Sequence, residues 1–241
     1  MKPDIYAIKT VSERVLGNSY VGRGIVAGRT ADGSKAAIAY FIMGRSANSR
    51  NRVFAVRDGE VFTEPFDPSK VQDPSLIIYA AVRQFGRTLI VTNGNQTDTI
   101  YDGLKLGSSF EAALRSREFE PDGPNFTPRI SCAVELGTPE FGYKMSILKS
   151  IDPEGSACAR HTYEFPSRPG LGHFIHTYIC DGNPIPTFCG EPERVRIPDS
   201  IDAFTTEIWD ALDNDNKISL YVRYTDPVTG EYEERLINKN K

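Results

Sequence analysis

The sequence predicts an α+β fold, layered and built of mainly antiparallel sheets, and three observations carry this. Strand-like runs outnumber helical ones, and several are joined by tight turn signals such as Asp58-Gly59. The helical patterns come late among hairpins instead of alternating with single strands, as a parallel sheet would require. A chain of 241 residues, 39% hydrophobic and 25% charged, has the makings of a proper globular core. No repeat or low-complexity linker divides it, so one domain over residues 1–241 is expected.

Taken in order, residues 20–30 read as a strand, Ala31-Asp32-Gly33-Ser34 as a turn, and residues 36–43 as the returning strand. Residues 45–52 are polar and irregular. Residues 53–56 and 61–62 flank Asp58-Gly59, and residues 75–82 and 88–92 are joined by Gln84-Phe85-Gly86-Arg87. The period then changes. Residues 97–106 and 110–119 fit two short helices, the second capped by Ser109 and supported by Glu111 in its first turn. Strands return at residues 129–136, 143–149, 160–165 and 173–180. Residues 182–198, with Pro184, Pro186, Pro192 and Pro198, read as a long surface loop. Asp199-Ser200 opens a helix to about Leu212 with Ile201, Phe204, Ile208 and Ala211 near one face. Residues 218–224 and 232–237 close the chain as a hairpin.

Composition narrows the function classes. A net charge of −4 argues against bulk binding of nucleic acid or an anionic membrane, while leaving room for a local basic pocket. The apolar runs are far too short to span a bilayer. Met1-Lys2-Pro3-Asp4 opens no secretory signal. Cys132, Cys158, Cys180 and Cys189 form no CxxC pair and are expected to be reduced, mostly buried thiols in the cytoplasm.

Four places concentrate chemistry. At Val91-Thr92-Asn93-Gly94-Asn95-Gln96-Thr97-Asp98, a strand runs into an Asn-Gly turn followed by more polar groups than a turn needs. Gly44-Arg45-Ser46-Ala47-Asn48-Ser49-Arg50-Asn51-Arg52 sets three arginines among hydroxyls and amides, a donor set suited to a phosphate monoester or simply a solvated loop. Glu118 to Asp122, with Asn125 and Thr127-Pro128-Arg129, brings carboxylates near an arginine, for acid–base work or as an ordinary acidic helix end. His173 and His176 would face opposite ways on a strand, which argues against a zinc site, and no metal is expected. GxGxxG, GxxxxGK[ST] and GxSxG are absent, so nucleotide-loop and hydrolase-elbow readings have no support.

Tyr20-Val21-Gly22-Arg23, Val26-Ala27-Gly28-Arg29-Thr30 and Gly44-Arg45-Ser46 with Asn51-Arg52 resemble the opening of archaeal-type IMP cyclohydrolases. Asp73-Pro74 with Tyr79-Ala80-Ala81-Val82-Arg83, then Asn93-Gly94 with Thr97-Asp98-Thr99-Ile100, then Thr127-Pro128-Arg129-Ile130, follow in that family's order. The likeness covers about residues 20–136, after an extension of residues 1–19, and it departs from the family's more compact Ser-Arg-Ser-Phe-Pro-Asn-Arg run at the arginine loop. It implies a four-layered αββα sandwich like that of N-terminal nucleophile hydrolases, without their self-processing. It also implies closure of 5-formamidoimidazole-4-carboxamide ribotide to IMP with loss of water.

That reaction asks for a folded-back substrate, proton shuttling and stabilisation of an oxyanion. No metal or redox cofactor is needed. The expected acid–base pair is Tyr79 and Glu120. Asn93 would orient the carboxamide, Asp98 would take a ribose hydroxyl, and Arg45 and Arg52 would hold the 5′-phosphate, with Thr97 and Arg129 completing the substrate contacts. The expected partners are a small-molecule purine ribotide and further copies of the chain, with no nucleic acid and no membrane. Two alternatives stand beside this: a non-catalytic nucleotide-binding paralogue, and an amidohydrolase of the N-terminal nucleophile fold acting on another substrate. The second needs a free N-terminal Cys, Ser or Thr, and position 2 is Lys2.

Overall fold

The structure, a computed structural model, describes residues 4, 6–71 and 78–240. Met1-Lys2-Pro3, Asp73-Pro74 and the first residues of the expected strand 75–82 lie outside them. The chain runs α1 (Val11–Val15), β1 (Arg23–Arg29), β2 (Ala36–Met43), α2 (Ala47–Arg50), β3 (Arg52–Arg57) and β4 (Glu60–Pro65). It continues through β5 (Tyr79–Phe85), β6 (Thr88–Thr92), α3 (Gln96–Lys105), α4 (Phe110–Leu114), β7 (Arg129–Glu135), β8 (Gly142–Ser150) and β9 (Cys158–Pro166). The last elements are β10 (Leu171–His176), β11 (Glu193–Arg196), α5 (Ile201–Ala211), β12 (Lys217–Thr225) and β13 (Tyr232–Asn238).

The strands form two sheets with antiparallel neighbours, a 6-stranded one in the order β11-β10-β1-β2-β12-β13 and a 7-stranded one in the order β3-β4-β5-β6-β7-β8-β9. Side-chain alternation explains how they pack. On β2, Ala36, Ile38, Tyr40 and Ile42 meet Val61, Ala81, Val91 and Cys132 of the other sheet, forming the apolar layer between the sheets. The intervening Ala37, Ala39, Phe41 and Met43 point the other way, onto Val11 and Val15 of α1 and Phe204 and Ile208 of α5. Covered on both faces, β2 is apolar throughout. A third, smaller layer joins Ile100, Phe110 and Leu114 of α3 and α4 to Ile90, Ala133 and Leu148 of the second sheet.

The local signals translate directly into geometry. Asp58 and Gly59 both take positive φ, 52° and 75°, making the two-residue turn that joins β3 to β4 with the twist a hairpin wants. Ser200 and Ser109 cap α5 and α4 through the backbone N–H of Ala203 and Ala112.

Four expectations are corrected. The second short helix ends at Leu114, because Arg117 turns back onto α3, its Nε donating to Thr99 Oγ1 at 2.7 Å, and the chain leaves to carry Glu120 inward. Residues 182–198 are not all loop: Val195 is buried, and Glu193–Arg196 pairs with β10. Residues 45–52 contain one capped helical turn, α2. Only Cys132 of the four free cysteines is buried, while Cys158 is half-buried and Cys180 and Cys189 are exposed. The first nineteen residues also hold α1, whose Thr10/Glu13 capping box was readable in the sequence. Among the described residues no helix is long and apolar enough to cross a membrane.

Candidate active site

The arginine loop folds back on itself. Ser49 N–H donates to Ser46 Oγ and Ser46 N–H to Ser49 Oγ, a capping box that closes the N-terminal end of α2. A side chain on Gly44 would come within 2.6 Å of Ser49 Oγ, so the loop needs glycine there. Arg50 turns away, its Nε bonded to Gly44 O and its Nη2 to Asn216 Oδ1. Arg45 and Arg52 instead line a cavity of about 270 Å³ with Tyr20, Arg23, Asn48, Glu120, Asp122 and Tyr178.

The floor of this cavity is cationic. Arg52 is 1% exposed; its Nε donates to Ser49 O at 2.7 Å and its Nη2 to Met43 O at 3.3 Å, which leaves Nη1 without a partner among the described residues. Arg23, at the start of β1, is 9% exposed with an unpartnered Nε. Burial and the nearby charge of Arg23 both pull the Arg52 guanidinium below its ordinary range. Two buried guanidinium groups with free N–H directions form a receptacle for an anion. Burial also works against the Arg23 charge, but Glu120 with the phenols of Tyr20, Tyr178 and Tyr79 outweighs it and keeps Arg23 protonated.

Glu120 is 3% exposed. Burial pushes its carboxyl above the usual range, against the pull of Arg23 and then Arg129, and Asp122 adds to the rise. Its backbone is fixed by a 2.9 Å bond from Glu120 N–H to Thr127 O. Asp122 is held by Thr127 N–H at 2.7 Å and by Thr127 Oγ1, which also meets the Tyr178 hydroxyl at 2.6 Å. At the mouth, Arg45 lies 5.1 Å over the Tyr20 ring and pairs with Asp181, with Gly182 O a second acceptor at 2.9 Å.

The structure thus brings Arg45, Arg52 and Glu120 to one cavity. Tyr79 and Arg129 do not line the cavity but lie within electrostatic reach of groups that do, Tyr79 of Arg23 and Arg52, and Arg129 of Glu120. Asn93, Thr97 and Asp98 are committed elsewhere. Asn93 Nδ2 donates to Pro128 O, and its Oδ1 accepts from Ile130 N–H and Gln96 Nε2, each bond at 2.8–2.9 Å. Gln96 Oε1 in turn accepts from Arg129 Nη1 at 2.9 Å, so the Asn-Gly corner holds the arginine that faces Glu120. Gly94 is the close approach in this corner; a side chain there would meet Arg129 Nη1 at 2.6 Å. Thr97 bonds Thr92 Oγ1 at 2.6 Å, and the half-exposed Asp98 pairs with Arg83 at 2.9 Å. Among the described residues Asn93 and Thr97 are fully buried in these bonds, because buried polar groups close on one another first, while Asp98 stays exposed beside Arg83.

His173 and His176 point to opposite faces of β10, Nδ1 of the first meeting the Tyr143 hydroxyl and Nδ1 of the second meeting Tyr178 O. Sequence reasoning gave no role to Arg23 or Tyr178, and it reached Asp122 only as part of the acidic run from Glu118. For Arg23 a signal existed: a charged residue opening the apolar strand β1.

A family model described as IMP cyclohydrolase-like protein matches residues 20–231. A protein of Methanopyrus kandleri named IMP cyclohydrolase is 34% identical over 183 residues, 70% of this chain and 89% of that protein. One of the same name from Methanococcus aeolicus is 30% identical over 165 residues, 67% and 75% of the two chains. Another, from Methanothrix thermoacetophila, is 32% identical over 153 residues, 60% and 74% of the two chains. The match begins where the resemblance began and runs well past residue 136 into the last hairpin. The chain belongs to the IMP cyclohydrolase-like family.

Proposed function

We propose that this protein is an IMP cyclohydrolase, closing 5-formamidoimidazole-4-carboxamide ribotide to IMP with loss of water. The observation that carries the reading is a single cavity in which a buried carboxyl, Glu120, faces two buried guanidinium groups with unpartnered N–H directions. The relatives named IMP cyclohydrolase support the same reaction.

In this reading Arg45 and Arg52, with the hydroxyls and amides of residues 46–49, take the 5′-phosphate. This leaves Arg23 and Glu120 for the reacting end. The carboxamide nitrogen gives up one proton as it bonds to the formyl carbon, and the formyl oxygen gains one. The former formamide nitrogen then loses its proton as the hydroxyl departs as water, leaving the ring C=N bond. Glu120 receives the first proton, Tyr79, set back from the lining, supplies one to the oxygen by way of a water, and Arg23 faces the charge that develops there. Much of the rate comes from holding the two substrate groups folded together. Asn93 acts through Gln96 and Arg129 to set the field on Glu120, while Thr97 and Asp98 support α3 and its corner.

The three apolar layers support the four-layered αββα arrangement of N-terminal nucleophile hydrolases in a single domain. The proposed setting is the cytoplasm, with assembly into homo-oligomers.

The test is direct: purified protein is offered the formamido-ribotide and IMP formation is followed by absorbance. Turnover supports the reading. Binding of the ribotide without turnover selects a non-catalytic nucleotide-binding paralogue and overturns it.

A further inference from the structure

The Tyr40 hydroxyl lies 2.8 Å from the Tyr79 hydroxyl, across the interface between the two sheets. Tyr40 is on β2 of one sheet, and Tyr79 opens β5 of the other. Either oxygen has the geometry to donate, and burial decides between them. Tyr40 is 0% exposed and has no second hydrogen-bond partner among the described residues. If it did not donate to Tyr79, its proton would be stranded in the apolar layer, a costly defect in a core. Tyr79 keeps 5% exposure, so its own proton is not confined to the apolar layer, and the guanidinium groups of Arg23, Arg52 and Arg129 near it can only donate, which leaves that proton for a ligand. Stacking on Phe54, with ring centroids 5.3 Å apart, holds the Tyr40 ring in place. Burial pushes the Tyr40 phenol well above the ordinary tyrosine range, so it stays protonated and serves as a permanent donor.

We propose that Tyr40 is a positioning residue for the ring closure: its hydroxyl donates to the Tyr79 oxygen and thereby turns the Tyr79 proton toward the cavity. The inference rests on the reading of Tyr79 as the group that protonates the formyl oxygen. A donor on the Tyr79 oxygen does two things at once. It selects the rotamer in which the acidic proton faces substrate, and it stabilises the phenolate left after transfer. A buried phenol that only filled space would do neither.

The test uses the full chain, the formamido-ribotide, and the variants Tyr40→Phe, Tyr79→Phe and the double variant. Both substitutions delete only a hydroxyl. Tyr79→Phe is expected to lower kcat about 100-fold or more. Tyr40→Phe is expected to lower kcat roughly 5- to 20-fold with KM within about twofold, and to move the alkaline limb of the kcat profile to higher pH, because the phenolate loses its donor. In the Tyr79→Phe background Tyr40→Phe should have no further effect, since the two act as one unit. Site-specific 3-fluorotyrosine at position 40 keeps the hydroxyl and makes it a stronger donor, so it should shift the limb the opposite way. This second arm remains decisive if Tyr40→Phe folds poorly. A slow Tyr79→Phe beside a Tyr40→Phe with parental kcat and an unmoved limb overturns the inference alone. A Tyr79→Phe with parental kcat overturns the underlying reading and the inference with it.

Discussion

Arg52→Lys probes the anion receptacle with the charge kept constant. The parent guanidinium, which lines the cavity, uses Nε and Nη2 to hold the loop carbonyls of Ser49 and Met43 and leaves Nη1 without a partner among the described residues. A lysine has one nitrogen and cannot serve both purposes. Losing one charge-assisted hydrogen bond is worth about 1.5–3 kcal/mol, or roughly 10- to 150-fold in affinity for a phosphate-bearing ligand. The matching nucleoside, which has no phosphate, should lose less than about threefold. A thermal shift with inorganic phosphate reads the same bond without turnover. At 100 times its Kd the ligand adds about 2.7 kcal/mol, which is about 5–11 °C for a chain of 241 residues. At the same phosphate concentration, a variant weakened 10- to 100-fold should keep only about 0.4–1.4 kcal/mol, roughly 1–6 °C. The reasoning is refuted if Arg52→Lys shows the parental shift, or if ribotide and nucleoside weaken equally.

Arg45→Ala should weaken ribotide binding about tenfold or more and nucleoside binding much less, since it removes the other proposed phosphate donor; equal losses would sink that assignment. Asp181→Asn should do the reverse, because the carboxylate now competes with phosphate for Arg45. Both partners are more than a third exposed, so the gain is expected to be no more than about fivefold in KM, and an increase in KM would count against competition. Glu120→Gln should lower kcat by about 10²–10⁴ and remove the acidic limb of kcat/KM. That limb should lie above the ordinary glutamate range in the parent. Folding favours the neutral Glu120 carboxyl, so its contribution is full at low pH and lost as pH rises through the raised value. The parent should therefore lose stability relative to Glu120→Gln along that rise, as read by melts across pH. Burial first, then the charge of Arg194, pulls His173 down from 6.5 to about 4. Its neutral form contributes fully above the ordinary histidine value, and the contribution, up to about 3 kcal/mol, is lost as pH falls through that window. His173→Gln should flatten this acid limb, and a parent whose melting point is unchanged between those values would refute it.

Residues 36–43 and 88–92 were legible as strands to the residue, because an apolar run between turn signals has few other uses. The α5 face was legible too, through its Ser200 cap and the spacing of Ile201, Phe204 and Ile208. Glu193–Arg196 was not: four residues with one buried apolar side chain resemble a loop until β10 is there to pair with them. Within the site, the arginine loop stood out by composition, Glu120 by the acidic run before Arg129, and Tyr79 through the family resemblance. Tyr40 did not stand out, since a tyrosine inside a strand is commonplace, and the one signal for Arg23 was a charge opening an apolar strand.

What the sequence by itself determined was local: which segments are strands, where the hairpins turn, and that arginines, hydroxyls and amides gather in residues 44–52. The packing of one sheet on the other decided the rest. It buried Arg23, Arg52 and Glu120 together and set the Tyr40 hydroxyl against Tyr79, while the pairing of β6 with β7 drew Asn93 onto Pro128 and Ile130. Side-chain periodicity tells which face of a strand is covered, but not what covers it. The charge state of a carboxyl and the partner of a phenol's proton depend on that covering surface, which comes from residues distant in the chain.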